Sequence, residues 1–188
     1  MPDVADPEIT LVRLTEIDLD ALTALLNEPR NARHLPLAVG EAFTAETTAG
    51  WVAAKDGQWD EHGYGPWAVR IDGEFAGWGG FQTEENGADF ALVLRPRFWG
   101  LGDAVARRAL EHGFRKLGLE DVLIALPYSR HPDRVVARYG FVPDGDVTTA
   151  VSASASTGSP GRGGQQDHTP EARSSRRPAL TMSTPRLR

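Results

Sequence analysis

The 188-residue chain has no cysteine. That excludes disulfides, a thiol nucleophile and any cysteine-ligated zinc site. Long hydrophobic runs are also missing, and no apolar stretch approaches the length of a membrane span. The opening residues Met1-Pro2-Asp3-Val4-Ala5-Asp6 have neither a basic region nor an apolar core. No secretory signal is therefore expected, and a cytoplasmic location is the default. His34 and His131 stand alone, without a second ligand at metal spacing, so no metal is expected. No internal repeat is visible. Positive charge is scarce outside the C-terminal segment. Residues 150–188 hold six arginines against Asp167 and Glu171, a surplus of four, so the rest carries −10 within a total of −6. An acidic body disfavours nucleic acid and would attract a cationic substrate, or it is simply a soluble acidic surface.

The most informative stretch present is Arg97-Phe98-Trp99-Gly100-Leu101-Gly102. It follows the apolar run Phe90-Ala91-Leu92-Val93-Leu94, which reads as a buried strand. It precedes Ala104-Val105-Ala106-Arg107-Arg108-Ala109-Leu110, which reads as an amphipathic helix. A glycine-bearing turn between strand and helix exposes the first free N–H groups of the helix and lets a ligand approach closely. Such a turn favours an anion, most often a phosphate or pyrophosphate. A dinucleotide fingerprint would need a third glycine where Val105 stands, and an acidic residue after the next strand, whereas Glu120 precedes it. A kinase-type P-loop would need a Gly-Lys-Ser/Thr that does not follow the turn.

Arg97-x-x-Gly100-x-Gly102 resembles the acyl-CoA pyrophosphate loop of the GNAT superfamily of N-acetyltransferases, Gln/Arg-x-x-Gly-x-Gly/Ala. The longer run Leu94 to Gly102 resembles the strand–Pro–aromatic–Trp-Gly-x-Gly pattern of its RimJ/RimL-like branch. Arg134-Val135-Val136-Ala137-Arg138-Tyr139-Gly140-Phe141 is similar to that family's closing helix and Gly-Phe turn. Gly63-Tyr64-Gly65-Pro66-Trp67-Ala68-Val69 is similar to its second strand. Together these cover most of residues 9–147 in the expected order. The resemblance implies an α/β (α+β) fold, a mixed, mostly antiparallel sheet with helices on both faces. The splay point should fall between the strand ending at Leu94 and the strand from Val122.

The local patterns agree. A strand is expected at Ile9–Leu14 and a helix capped by Thr15 running to about Leu26. A second helix should follow Thr44. The turn Asp72-Gly73 should join two strands in a hairpin. A strand at Asp89–Leu94, a helix from Asp103 to about Lys116, a strand at Val122–Leu126 and a helix at Pro132–Tyr139 complete the core, with a last strand from about Phe141. Residues 1–149 read as the acetyltransferase-like domain. Residues 150–177 read as a low-complexity loop or linker. Residues 178–188 read as a final strand pairing back on the one after Phe141, or as a tail without a partner strand.

The resemblance implies direct attack of a primary amine on acetyl-CoA in a ternary complex. The strand Leu92-Val93-Leu94 would pair with the pantetheine and give a backbone N–H to the thioester oxygen. Arg97, Phe98, Trp99, Gly100, Leu101, Gly102 and Asp103 would form the cofactor loop, although Asp103 would repel a pyrophosphate unless it points outward. An amine of pKa ~10 needs a base at neutral pH. Asp89, on the strand face of Ala91 and Val93, is the candidate, its alternative being a solvated turn acid. Glu84 and Glu85 are weaker candidates. Tyr128, at the end of the preceding strand, is the candidate acid toward the cofactor sulfur, and Ser129, where the family often has Asn, can still hydrogen-bond. Pro132 stands where the family often has Ser, and Val136 where many members have the acid Tyr; Tyr139 reads as core. Arg95 and Arg130 are further phosphate partners or surface residues. Trp51, Trp67 and Trp78 read as core, while Trp59 and His62 read as a surface loop or the acceptor entrance. The expected acceptor is a protein N-terminus or a small amine, with no nucleic acid or membrane partner and a homodimer as one assembly. A non-catalytic acyl-CoA-binding module is the alternative, favoured by Pro132 and Val136. A nucleotide-binding oxidoreductase is the remote one.

Overall fold

The computed structural model describes residues 6–32, 41–85, 87–125, 138–149 and 175–183. Its strands are β1 (Ile9–Val12), β2 (Pro66–Ile71), β3 (Glu74–Glu84), β4 (Gly87–Leu94), β5 (Asp121–Ala125), β6 (Val142–Thr149) and β7 (Ser175–Ser183). Helices α1 (Leu19–Leu26), α2 (Pro29–Ala32) and α3 (Ala45–His62) lie between β1 and β2, and α4 (Gly102–Arg115) lies between β4 and β5. The strands form one sheet in the order β1-β2-β3-β4-β5-β7-β6. Every pairing is antiparallel except β4 with β5. The mixed sheet expected from the sequence is therefore present.

Local chemistry explains most boundaries. Asp72 and Gly73 both have positive φ, 50° and 78°, which a two-residue hairpin turn requires. The Thr44 side chain accepts from the Thr47 N–H and caps α3. Gly63, left-handed at φ 74°, stops that helix. The expected cap at Thr15 is corrected. Leu14–Glu16 forms a 3-10 turn, and α1 begins four residues later with Asp18 as cap, its carboxylate accepting from Asp20 and Ala21. A carboxylate taking two N–H groups holds the helix start better than one hydroxyl. Trp59 is corrected too. It lies within α3, packs on Trp67 at 5.1 Å and donates Nε1–H to the Pro66 carbonyl, so it is not in a surface loop.

The core occupies both sheet faces. On one, α4 lays Ala106, Ala109 and Leu110 over Trp67, Phe81, Phe90 and Val122. On the other, Leu22, Leu25 and Val52 from α1 and α3 cover Ala68, Trp78 and Val93. Trp67 and Trp78 are buried, as expected. Gly77 and Gly79 are packing glycines: a Cβ at Gly77 would fall 2.1 Å from the Val93 carbonyl oxygen. Those absent side chains let β3 and β4 lie close, which fixes the strand beside the splay.

Candidate active site

β4 pairs with β3 along its whole length, Gly77↔Leu94 to Glu84↔Gly87. On its other edge, a single registered pair, Asp89↔Leu123, joins it to β5. Beyond Asp89 the two parallel strands have no registered pair among the described residues. The edge carrying Leu92, Val93 and Leu94 thus opens where the sequence places a splay. An unpaired strand edge presents backbone donors and acceptors to whatever enters.

Asp89 sits at the apex of this opening. It is half-buried, and its Oδ1 accepts from the Ala125 N–H at 3.2 Å. The carboxylate thus bridges the two strands at the point where they part. A solvated turn acid is not what this geometry describes.

At the open end, Leu94 delivers the chain into a 3-10 helix, Pro96–Leu101, that runs straight into α4. The Leu94 carbonyl accepts from Asn31 Nδ2 at 3.3 Å and Trp99 Nε1 at 3.0 Å. Arg97, Phe98, Trp99, Gly100 and Leu101 all lie in the 3-10 segment, and Gly102 opens α4. No side chain caps either helical N-terminus. The Phe98 N–H is taken by the Arg95 carbonyl at 2.9 Å and the Gly102 N–H by the Trp99 carbonyl, so what this segment offers an anion is the dipole of an N-terminus without a side-chain cap. Gly100 adds a space argument. Among the described residues, a Cβ there would meet nothing within 4 Å, and at Gly102 Leu94 Cδ1 at 3.9 Å. Neither glycine has positive φ. Unlike Gly77, these glycines satisfy no need of the fold, and the surface they leave bare is open to a ligand. The residues present therefore fit the pyrophosphate of acetyl-CoA.

The charged side chains of the loop are engaged internally. Arg97 is ion-paired with Glu74 on the β2–β3 hairpin and lies over the Phe98 ring at 4.7 Å. Arg95 stacks on Phe75 and donates to its carbonyl at 3.4 Å. Asp103 accepts from the Tyr139 hydroxyl at 2.6 Å and from Arg107 Nε at 3.1 Å, with Arg138 at 3.5 Å. The Tyr139 hydrogen bond, then Arg107, holds the Asp103 carboxyl below its usual range. Burial first, then Asp103, pushes the Tyr139 phenol up to about 12. Tyr139 packs partly into the core, as expected, but its hydroxyl works on the Asp103 side of the loop.

Tyr128, Ser129, Arg130, His131, Pro132, Val136 and His34 lie outside the described residues. Two residues at the apex carried no signal in the sequence. Lys55 of α3 is half-buried and donates Nζ–H to Gln82 Oε1. Gln82, itself buried, is the cross-strand partner of Asp89. Desolvation lowers the Lys55 pKa, against the opposing pull of Glu84 and Asp89. Only the sheet register and the packing of α3 bring these groups together.

A splayed mixed sheet whose open edge leads into a bare, uncapped helical N-terminus is the architecture of an acyltransferase, as the sequence resemblance implies. The acetyltransferase (GNAT) domain model matches residues 8–142. A putative GnaT-family acetyltransferase from Bordetella pertussis superposes with TM-score 0.66 at 19% identity, covering 95% of this chain and 97% of that one. Spermidine N-acetyltransferase from Vibrio cholerae, solved with CoA and spermine, gives TM-score 0.63 at 14% identity over 93% and 95%. The microcin C7 self-immunity acetyltransferase MccE, solved with acetyl-CoA and AMP, gives 0.65 at 13% identity over 94% and 93%. The chain belongs to the acetyltransferase (GNAT) domain family, a class of N-acetyltransferases. No described helix is long and apolar enough to cross a membrane.

Proposed function

We propose that this protein transfers the acetyl group of acetyl-CoA to a primary amine by direct attack in a ternary complex. The observation that carries the reading is the opening of β4 from β5 beyond Asp89, leading into the bare Gly100–Gly102 loop. Leu92, Val93 and Leu94 offer the open edge to the pantetheine, and a backbone N–H from this strand holds the thioester oxygen. A donor fixed before the reaction stabilises the developing oxyanion without reorganising. The bare surface of the Arg97–Asp103 segment and the N-terminal dipole of α4 hold the pyrophosphate, flanked by Phe98, Trp99 and Leu101. Trp99, 48% exposed, extends that wall into solvent. Asp103, turned toward Tyr139 and Arg107, completes the loop by shape and not by charge.

Asp89 accepts the proton of the attacking amine. Its half-buried place at the splay apex supports this role. Tyr128 is assigned, on the sequence resemblance alone, to protonate the departing thiolate, and Ser129 to hydrogen-bond at the cofactor. The RimJ/RimL-like run Leu94–Gly102 makes a protein N-terminus the first acceptor, and a small amine the second. We read residues 1–149 together with β7, Ser175–Ser183, as the catalytic domain, and the residues between them as an inserted loop or linker, shorter than the 150–177 expected because the strand already begins at Ser175. β7 lies between β5 and β6, which supports this order. The same reading carries a cytoplasmic location and a homodimer.

The alternative, a non-catalytic acyl-CoA-binding module, draws on one observation. The Asp89 carboxylate is committed to Ala125, as a structural bridge would be. Calorimetric titration with acetyl-CoA, followed by a screen of amines and N-terminal peptides for CoA release, separates the two. Binding with turnover establishes the transferase. Binding without turnover across the panel establishes the module. No binding removes both.

A further inference from the structure

The chain has eighteen arginines but only two lysines, Lys55 and Lys116. Lys116 is exposed at the end of α4. Lys55 is different. It projects from α3 onto β3, with its Nζ on the buried Gln82 amide. Gln82 and Asp89 are directly opposite in the β3–β4 register, so their side chains share the sheet face that α3 covers. Asp89 marks the apex of the β4–β5 splay through its bond to Ala125. One line of residues thus runs from the amine of Lys55 through Gln82 and Asp89 to the opening. Gln58, one helical turn after Lys55, accepts from the Thr83 N–H and holds α3 against β3 at this level. Glu84 and Asp89 are the charged groups that face the lysine.

We infer that Lys55 is an acetylation site of the protein itself, modified from acetyl-CoA bound in the splay. This rests on the proposed function, because it requires acetyl-CoA to place its thioester near Asp89. The four-carbon stem of lysine lets Nζ leave Gln82 and swing across one strand toward the apex. Desolvation at this position favours the uncharged amine, which is the nucleophilic form. In the step, the Nζ lone pair forms an N–C bond to the thioester carbonyl and the C–S bond breaks. The proton lost from Nζ passes through a neighbouring carboxylate to the departing sulfur, so the products are acetyl-lysine and CoA thiol. Modification removes the positive charge that Lys55 sets against Glu84 and Asp89, which then attract a cationic acceptor more strongly.

The test uses the full chain, isotopically labelled acetyl-CoA and peptide mapping of every amine, with binding measured in parallel by calorimetry. The exposed Lys116 is the internal reference for chemical acetylation, because solvent access alone favours it. Site-driven transfer predicts label on Lys55 exceeding Lys116 by about tenfold or more, since a bound thioester acts at high effective molarity. Gly100→Glu should then lower Lys55 labelling to the Lys116 level, while Lys55→Arg, which keeps the charge, abolishes it and leaves acetyl-CoA binding intact. Equal labelling of the two lysines overturns the inference. So does an unlabelled Lys55 in protein that binds acetyl-CoA, and the proposed function then still stands. Absence of acetyl-CoA binding overturns both together.

Discussion

Gly100→Glu separates the fold from the site. A Cβ at this position meets no atom of the described residues within 4 Å, and the backbone there is not left-handed. The substitution should therefore change stability by no more than about 0.5 kcal/mol, as for an unremarkable surface position. In a chain of this size that is a shift in melting temperature of about 1–2 °C. Binding should respond very differently. The added carboxylate lies on the surface assigned to the pyrophosphate. At ~4 Å, one pair of like charges costs about 1 kcal/mol with water-like screening and about 4 kcal/mol at an effective dielectric constant of ~20. Acetyl-CoA affinity should fall by a factor between about 5 and about 1000. Calorimetric titration beside a thermal melt reads both quantities on one sample. A folded variant that binds acetyl-CoA as the wild type does would show that the phosphates lie elsewhere. A variant that melts far below the wild type would show that the space beside Gly100 belongs to the fold.

Gly77→Ala is the converse case, because its Cβ would fall 2.1 Å from the Val93 carbonyl oxygen and 2.8 Å from Leu94 Cα. The backbone must shift, so a loss of about 1–3 kcal/mol is expected in chemical denaturation; wild-type stability would refute the packing argument. Asp89→Asn keeps an oxygen for the Ala125 N–H but cannot take a proton at neutral pH. Once an acceptor is known, kcat should drop about 10²–10⁴-fold with acetyl-CoA affinity retained, and an undiminished kcat removes Asp89 as the base. Asp103→Asn removes the anion beside Tyr139, so the phenol should ionise below about 12 without returning fully to 10, because burial is the larger cause of its shift. Tyrosinate absorbance, assigned with Tyr139→Phe, reads this, and an unchanged titration refutes the pairing. Asp103 itself has a depressed pKa, so its stabilising contribution is present above the ordinary carboxylate pKa of ~4 and is lost as pH falls through the folded value. The stability gap between wild type and Asp103→Asn should narrow below about pH 4 in acid denaturation, and a gap that widens there contradicts the sign.

Much of the fold around the candidate site was readable because it depends on local backbone chemistry. Asp72-Gly73, the Thr44 cap and the Gly100-Leu101-Gly102 loop each declare themselves within a few residues. Asp89 was readable as a candidate because strand alternation places it with Ala91 and Val93. Its bond to Ala125 was not, since that contact spans 36 residues and exists only once β5 is docked. The start of α1 was misplaced because Thr15 and Asp18 are both capping residues. Tertiary burial of Leu14 and the two N–H groups taken by Asp18 decide between them. Trp59 was misplaced because α3 is rich in Ala, Gly and Asp and carries no strong apolar stripe, so the glycines after His62 dominated the reading. Lys55 had no sequence signal at all. A lone lysine in a polar helix reads as solvated until the α3–β3 packing sets it on Gln82.

The proposed function asks one strand, β4, to serve both cofactor binding and catalysis, and its two ends are built differently. At the apex, the Asp89 carboxylate bridges to the Ala125 N–H and fixes where the strands part. At the mouth, Asn31 and Trp99 take the Leu94 carbonyl and fix where the strand gives way to the loop. Along the other edge, Gly77 and Gly79 allow β3 to lie tight against it. The residues between are held on three sides, and among the described residues the edge toward β5 beyond Asp89 has no registered pair. An edge prepared in this way loses little conformational freedom when a ligand pairs with it, which favours affinity. It also presents its N–H groups in fixed positions, which favours stabilisation of an oxyanion over that of the ground-state carbonyl. Loosening either end should therefore weaken both properties. A change confined to the loop surface, as at Gly100, should weaken binding and leave the apex intact.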